Sequence, residues 1–305
     1  MIESVRQSLQ RMRRWLGVPA FSAAAAALLS PAFAQDAKLI ERGAYLMNGI
    51  VACGNCHVAR GPGGRPIPER GLSGGMVFDE QPFKAFASNI TPDPDTGIGK
   101  WTDAQLARAI REGIRPDGTV IGPPMPFLFY RGIADDDLAA IIAYLRAQPP
   151  VRNAVPKSEY RIPLPPAYGP PIQAPVAAPP RSDTVRYGEY LAGPLGHCME
   201  CHTPWDAKGH PDMSRLGAGG NPFRGPWGVS VSRNITPHET GLKGWTDEEI
   251  ARAIQQAVRK DGTPLKPPMA YDWYRNIDNA DMSALIAYLR SLRPLPFAAP
   301  PNAKN

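Results

Sequence analysis

The chain has 305 residues, which is enough for two ordinary domains. Its formal net charge of +6 at pH 7 would suit a nucleic-acid or anionic-membrane partner, but four arginines and only one glutamate lie within residues 1–34. Without that segment the net charge is about +3, and no basic tract remains. Composition and charge therefore give no support for a nucleic-acid partner.

Residues 1–34 have the features of an export signal. A basic start precedes an alanine-rich apolar stretch over residues 15–29, and Ala32-Phe33-Ala34 is a typical cleavage sequence. A retained membrane anchor is the alternative, although the apolar run is short for a bilayer span. We predict cleavage before Gln35, export to the periplasm and no transmembrane helix in the mature chain.

Next along the chain is a Cys-x-x-Cys-His motif, which occurs twice and contains all four cysteines. Two thiols one helical turn apart can each form a thioether with one porphyrin, and the histidine that follows is placed to ligate the iron. A zinc site, the alternative, needs no histidine directly after each cysteine pair. The sequence predicts two covalently bound haem c groups, held by Cys53, Cys56 and His57 and by Cys198, Cys201 and His202.

The two motifs belong to a tandem repeat with an offset of 145 and then 144 residues. Matched segments include Asn89-Ile90-Thr91-Pro92 with Asn234-Ile235-Thr236-Pro237, Trp101 with Trp245, and Ala143-Tyr144-Leu145-Arg146 with Ala287-Tyr288-Leu289-Arg290. The repeat predicts one domain over residues 35–148 and another over 181–305, here called the first and second copies. Residues 149–180, dense in proline, are predicted to form an extended linker.

Helical patterns dominate both copies. Helices are predicted over residues 37–47 and 184–192, before the motifs, and capping boxes begin others at Thr102 and Thr246. The last helices, over 135–147 and 279–292, have apolar residues at helical spacing. Because no strand pattern stands out, the predicted fold class is all-α, with two tandem domains joined by the proline-rich linker.

Methionine supplies the candidate for the sixth iron ligand. Of nine methionines, only Met125 and Met269 occupy matched positions, and both follow a Pro-Pro pair in a polar loop. A lone methionine is usually a packing residue, but a matched pair about seventy residues after each motif predicts iron ligation. The alternatives, His197, His210 and His238, have no counterpart in the first copy.

Together these motifs resemble class I cytochrome c domains, and more specifically the multihaem cytochrome subunits of bacterial periplasmic dehydrogenases, such as alcohol and gluconate dehydrogenases. The residues that carry the resemblance are Asn89 to Pro92, Thr96 to Thr102, and Pro124 to Phe127 with Tyr130. Those subunits have three haem domains and often a C-terminal membrane helix, whereas this sequence has two motifs and ends without an apolar span. The resemblance therefore leaves the partner oxidoreductase open.

The resemblance implies an electron-transfer subunit with no substrate of its own, in the periplasm or peripheral on the cytoplasmic membrane. It would carry electrons from a dehydrogenase or other oxidoreductase to a downstream cytochrome, oxidase or quinone site. The alternative is a dihaem enzyme of the peroxidase or thiosulfate-oxidising type, which needs one haem with an exchangeable or unusual ligand. The matched methionines favour the electron-transfer subunit, because they predict the same ligands for both haems. A haem-based sensor would need an output module, for which no residues remain.

Overall fold

Both copies are built from short helices connected by long loops. The structure, a computed structural model, describes residues 31–206 and 209–298. The first copy contains α1 (Pro31–Asn48), α2 (Gly54–His57), α3 (Asp103–Glu112), α4 (Phe127–Tyr130) and α5 (Asp135–Arg146). The second contains α6 (Thr184–Tyr190), α7 (Cys198–His202), α8 (Asp247–Gln256), α9 (Tyr271–Tyr274) and α10 (Asn279–Ser291). A π-helical turn, Leu191–Leu195, follows α6, and 3₁₀ turns occupy Pro62–Gly64, Pro68–Arg70 and Met213–Arg215.

The prediction of an all-α fold is wrong. Besides its helices, the described part of the chain contains short strands that form two small sheets. The first sheet is antiparallel, in the order β1 (Val77–Glu80), β2 (Phe83–Phe86) and β3 (Glu159–Tyr160), and the second pairs β4 (Pro222–Gly225) with β5 (Gly228–Val231). The strands were missed because they have at most four residues, and three of the four in β1 are exposed. So short a segment gives no apolar–polar alternation to detect.

The capping boxes form as predicted and fix the starts of α3 and α8. The hydroxyl of Thr102 accepts the backbone N–H of Gln105, whose side chain accepts the N–H of Thr102. Thr246 and Glu249 make the same reciprocal pair in the second copy. Each box satisfies two N–H groups that have no partner within the helix.

Two matched glycines bring the first and last helices of each copy into close contact. A Cβ atom on Gly43 would lie 2.0 Å from the carbonyl oxygen of Ala140, and one on Gly188 would lie 1.9 Å from that of Ala284. Any larger side chain would therefore force α1 away from α5, or α6 away from α10. This close packing explains why glycine recurs at the matched position in both copies.

One apolar core extends through both copies. It includes Leu46 and Ile141 from the first copy and Leu191 and Leu285 from the second, all buried. The described residues from Asp36 onward form a single compact unit. The predicted export signal lies almost wholly outside the described residues, and its cleavage stays a prediction. Among the described residues, no helix is both long and apolar enough to cross a membrane.

Two reciprocal hydrogen bonds join the copies. The Tyr45 hydroxyl donates to Asp281 Oδ2 at 2.8 Å, and the matched Tyr190 hydroxyl donates to Asp137 Oδ2 at 2.7 Å. Each aspartate also has an arginine partner: Arg42 lies 2.8 Å from Asp137, and Arg181 lies 2.7 Å from Asp281. Both carboxylates are buried in the first turns of α5 and α10, where the helix dipole favours negative charge.

The matched tyrosines Tyr45 and Tyr190 bond between the copies, because the hydroxyl of each reaches an aspartate of the other copy. They also accept backbone N–H groups there, from Asp278 and Ala134 respectively. The reciprocal arrangement fixes how the two copies meet.

Replacing Tyr190 with phenylalanine should lower the free energy of unfolding by roughly 1–3 kcal/mol, the cost of leaving buried polar groups without a partner. The groups affected are the Asp137 carboxylate and the Ala134 N–H. Tyr144→Phe is the control, because its hydroxyl accepts a hydrogen bond from the exposed Asn48 side chain of the same copy. Chemical denaturation followed by circular dichroism measures both variants, and equal stability would contradict the importance of the reciprocal bonds.

Candidate haem sites

All eight predicted site residues line one large cavity. Its volume is about 3650 Å³, several times the roughly 300–1,000 Å³ of a small-molecule pocket. The wall contains the three motif residues of each copy and both matched methionines: Cys53, Cys56, His57, Met125, Cys198, Cys201, His202 and Met269. The cavity thus has the size for groups larger than an ordinary ligand, and it is continuous from one copy to the other.

Each motif histidine is oriented by a backbone carbonyl. His57 Nδ1 lies 2.8 Å from Ser88 O, and His202 Nδ1 lies 2.7 Å from Arg233 O, at the matched position. Because a carbonyl can only accept, Nδ1 must carry the proton, which leaves Nε2 with a free lone pair. Burial lowers the pKa of both rings, and the carbonyl contact opposes this only in part. The rings are therefore neutral and suited to metal ligation through Nε2.

None of the four motif cysteines forms a disulfide bond. Burial raises the pKa of Cys53 and Cys198 to about 12 and that of Cys56 to about 11, where nearby Glu200 adds to the shift. The pKa of Cys201 is also raised, again mainly by burial. In the described residues, no group of three or more His, Cys, Asp or Glu side chains could hold a metal ion. The geometry therefore fits thioether attachment to a haem better than a zinc cluster.

The matched Asn-Ile-Thr-Pro segments fasten the loop behind each histidine. Asn89 Oδ1 accepts the N–H and hydroxyl of Thr91, while Asn89 Nδ2 donates to Val151 O at 2.8 Å. Asn234 makes the same bonds to Thr236 and, at 2.7 Å, to Leu295 O. Since Ser88 and Arg233 directly precede these asparagines, the network holds the carbonyls that orient the histidines.

The short helices that follow Met125 and Met269 contact the opposite copy. Both Pro-Pro bonds before Met125 and Met269 are cis, and α4 and α9 follow directly. In α9, the Trp273 indole packs against Gly54 of the first motif, where a Cβ atom would lie 2.5 Å from it. At the end of α4, the Tyr130 ring meets the His197 ring edge-on, with centroids 5.6 Å apart.

These cross-copy contacts were not found by sequence reasoning. Tyr130 and its counterpart Tyr274 are buried, and burial raises the pKa of both phenols well above the ordinary value. The motif thiols of both copies lie near Tyr274. The only signal in the sequence was the match between the two tyrosines, which does not say which copy each one contacts.

The matched tryptophans also line the cavity. Trp101 and Trp245 are each anchored through the backbone: Arg146 donates to the carbonyls of Trp101 and Ile98, and Arg290 donates to those of Trp245 and Leu242. Two charged partners, Asp103 and Asp247, hold these arginines in place. Because the arrangement is repeated, each half of the cavity has the same indole on its wall.

Comparison with known proteins now decides the family. The cytochrome c family model matches residues 190–293. A diheme cytochrome c-type protein of Cereibacter sphaeroides is 32% identical over 251 residues, which are 78% of this chain and 81% of that protein. The chain belongs to the cytochrome c family. Family membership implies covalently bound haem c, in agreement with the cavity and its cysteine and histidine side chains.

Longer proteins are also similar. The cytochrome c subunit of alcohol dehydrogenase (quinone) from Gluconacetobacter polyoxogenes is 29% identical over 314 residues, which are 94% of this chain and 63% of that protein. One of the subunits of nicotinate dehydrogenase from Pseudomonas putida is 31% identical over 289 residues, which are 88% of this chain and 22% of that protein. The chain thus spans less than two thirds of the length of both relatives.

Proposed function

We propose that the chain is a dihaem electron-transfer subunit. Its first copy, residues 35–148, would hold one haem c through Cys53, Cys56, His57 and Met125. Its second, residues 181–305, would hold another through Cys198, Cys201, His202 and Met269. The observation that carries the proposal is that both complete ligand sets lie on the wall of one cavity, with each histidine oriented through Nδ1 by a matched carbonyl.

Haem iron supplies one-electron chemistry, because it cycles between the ferrous and ferric states. The role of this chain's residues is to hold and tune it. Each histidine presents a neutral Nε2, and each methionine would supply a second iron ligand. The matched sets would give both sites the same coordination. Such sites favour electron transfer over the alternative dihaem enzyme, which needs an open or divergent site.

The partner is proposed from the relatives. Several similar proteins are cytochrome subunits of dehydrogenases, named for alcohol, fructose and gluconate. We therefore infer that this chain takes electrons from a periplasmic or membrane-associated dehydrogenase and passes them to a cytochrome, an oxidase or a quinone site of the respiratory chain. Its location would be the periplasm, free or peripheral on the cytoplasmic membrane.

Mass spectrometry should give the mature chain plus two haems, because each copy has both thiols in reach of its cavity. In a variant carrying both Cys198→Ser and Cys201→Ser, the mass should correspond to one haem, held by the first copy. The single exposed-surface change Lys38→Glu is the control and should retain two. One haem in the unsubstituted protein would refute the dihaem proposal.

The substitutions Met125→Ala and Met269→Ala should each leave one haem iron without its methionine ligand. We expect loss of about half of the weak far-red sulfur–iron absorption, a lower reduction potential at one haem and carbon monoxide binding by that haem after reduction, since methionine ligation raises haem potentials. Met213→Ala, which removes an exposed methionine with no matched partner, is the control. If the unsubstituted reduced protein already binds carbon monoxide, the closed-site proposal fails.

A further inference from the structure

The loop that carries Met269 is bonded to the haem motif of the first copy. The Asn55 side chain, which lies between the two cysteines of that motif, donates from Nδ2 to Pro268 O at 3.3 Å. Pro268 directly precedes Met269 in the chain. The bond spans 213 positions, so it ties the methionine loop of the second copy to the motif of the first.

The two prolines of this loop make its carbonyl bonds important. Pro267 and Pro268 have no backbone N–H to donate, so their backbone can be fastened only through its carbonyl oxygens. Pro267 is exposed, whereas Pro268 and Met269 are half-buried. The amide of Asn55 therefore holds the backbone at the point where the loop turns inward to the methionine.

Helix α9 extends the same contact on the other side of the methionine. Met269 O accepts the N–H of Tyr271 at 3.0 Å, so the helix begins immediately after the methionine. Its Trp273 indole packs against Gly54, where a Cβ atom would lie 2.5 Å from Nε1. Two adjacent residues of the first motif, Gly54 and Asn55, thus contact the chain both before and after Met269.

Neither of these two residues is required by the motif itself. The second motif has Met199 and Glu200 in the places of Gly54 and Asn55, within the same kind of short helix. An ionised carboxylate has no proton to donate to a carbonyl, and that of Glu200 lies 3.1 Å from His197 Nδ1 in its own copy. Contact with the opposite methionine loop, rather than the Cys-x-x-Cys-His pattern, therefore accounts for glycine and asparagine in the first motif.

The Met125 loop is held from elsewhere, by the linker. The Tyr168 hydroxyl donates to Ile121 O at 2.9 Å. The Tyr160 ring lies over Gly122, where a Cβ atom would be 2.3 Å from the ring. A change at the two motif residues should therefore reach the methionine of the second copy and spare Met125.

We propose that Asn55 and Gly54 are positioning residues for Met269, so that the haem motif of the first copy sets the strength of methionine ligation in the second. The inference rests on the proposed dihaem function and deepens it by making the coordination of the second haem depend on the first copy. A displacement of the first motif would weaken the iron–methionine bond of the second haem and lower its reduction potential, since methionine ligation raises haem potentials.

The test uses the full chain with its haems attached and carrying Met125→Ala, so that the remaining far-red sulfur–iron absorption reports Met269 alone. Imidazole is added to the oxidised protein, because it is a strong iron ligand that competes with methionine. In Asn55→Leu, which keeps the size and removes the donor, the band should disappear at about fivefold less imidazole, the effect of one ordinary hydrogen bond. Gly54→Ala, which must displace the Trp273 indole, should shift it in the same direction.

The matched control is Asn276→Leu. Asn276 Nδ2 also donates to a carbonyl of the other copy, Asn48 O at 2.7 Å, but this bond lies outside the methionine loop. The control should leave the required imidazole concentration unchanged. In chains carrying Met269→Ala instead, Asn55→Leu should leave the band of Met125 unchanged. No shift in Asn55→Leu, an equal shift in Asn276→Leu, or a shift of the Met125 band would overturn the proposal.

Two measurements on the same samples separate this proposal from the dihaem function. Haem content should remain two per chain in Asn55→Leu, and loss of haem would overturn the positioning role, because the residue would then serve haem attachment. If Met269→Ala alone leaves the far-red absorption intact, Met269 is not a ligand and the proposed function itself fails. A ligating Met269 that does not respond to Asn55 refutes the positioning role alone.

Discussion

Two buried aspartates, each bonded to a tyrosine of the other copy, determine how the halves of this chain meet. Asp137 and Asp281 start the last helix of their copies, and their carboxylates require the tyrosine and arginine partners because burial removes them from water. Satisfying both carboxylates fixes the two copies face to face. The helices after the methionines then contact the opposite copy, α4 at His197 and α9 at Gly54, and one cavity extends through both copies. A relay needs this proximity of its redox sites.

The duplication supplies two similar sites, and differences between the copies give them different surroundings. The ligand residues, the orienting carbonyls and the asparagine network match in both copies. One difference is local: in the first copy Tyr160 packs over Gly122, whereas the matched residue in the second copy is Lys266.

The sequence predicted local features well and long-range ones poorly. The capping boxes at Thr102 and Thr246 depend on neighbours three residues away, so their pattern is sufficient to predict them. Cysteine spacing and the matched methionines similarly identified the residues that line the cavity. By contrast, β2 pairs with a linker strand, β3, that lies more than seventy residues later in the chain. The hydroxyl of Tyr45 bonds Asp281, which is 236 positions away. Residue patterns contain no information on such distant pairings.

The most direct test of the central claim is flash reduction of the oxidised two-haem protein with less than one electron per chain. Absorbance then follows how the electron redistributes between the two haems. The account predicts a first-order phase whose rate does not change with protein concentration, because the electron crosses within one chain. Redistribution that occurs only by a second-order reaction between molecules would contradict it.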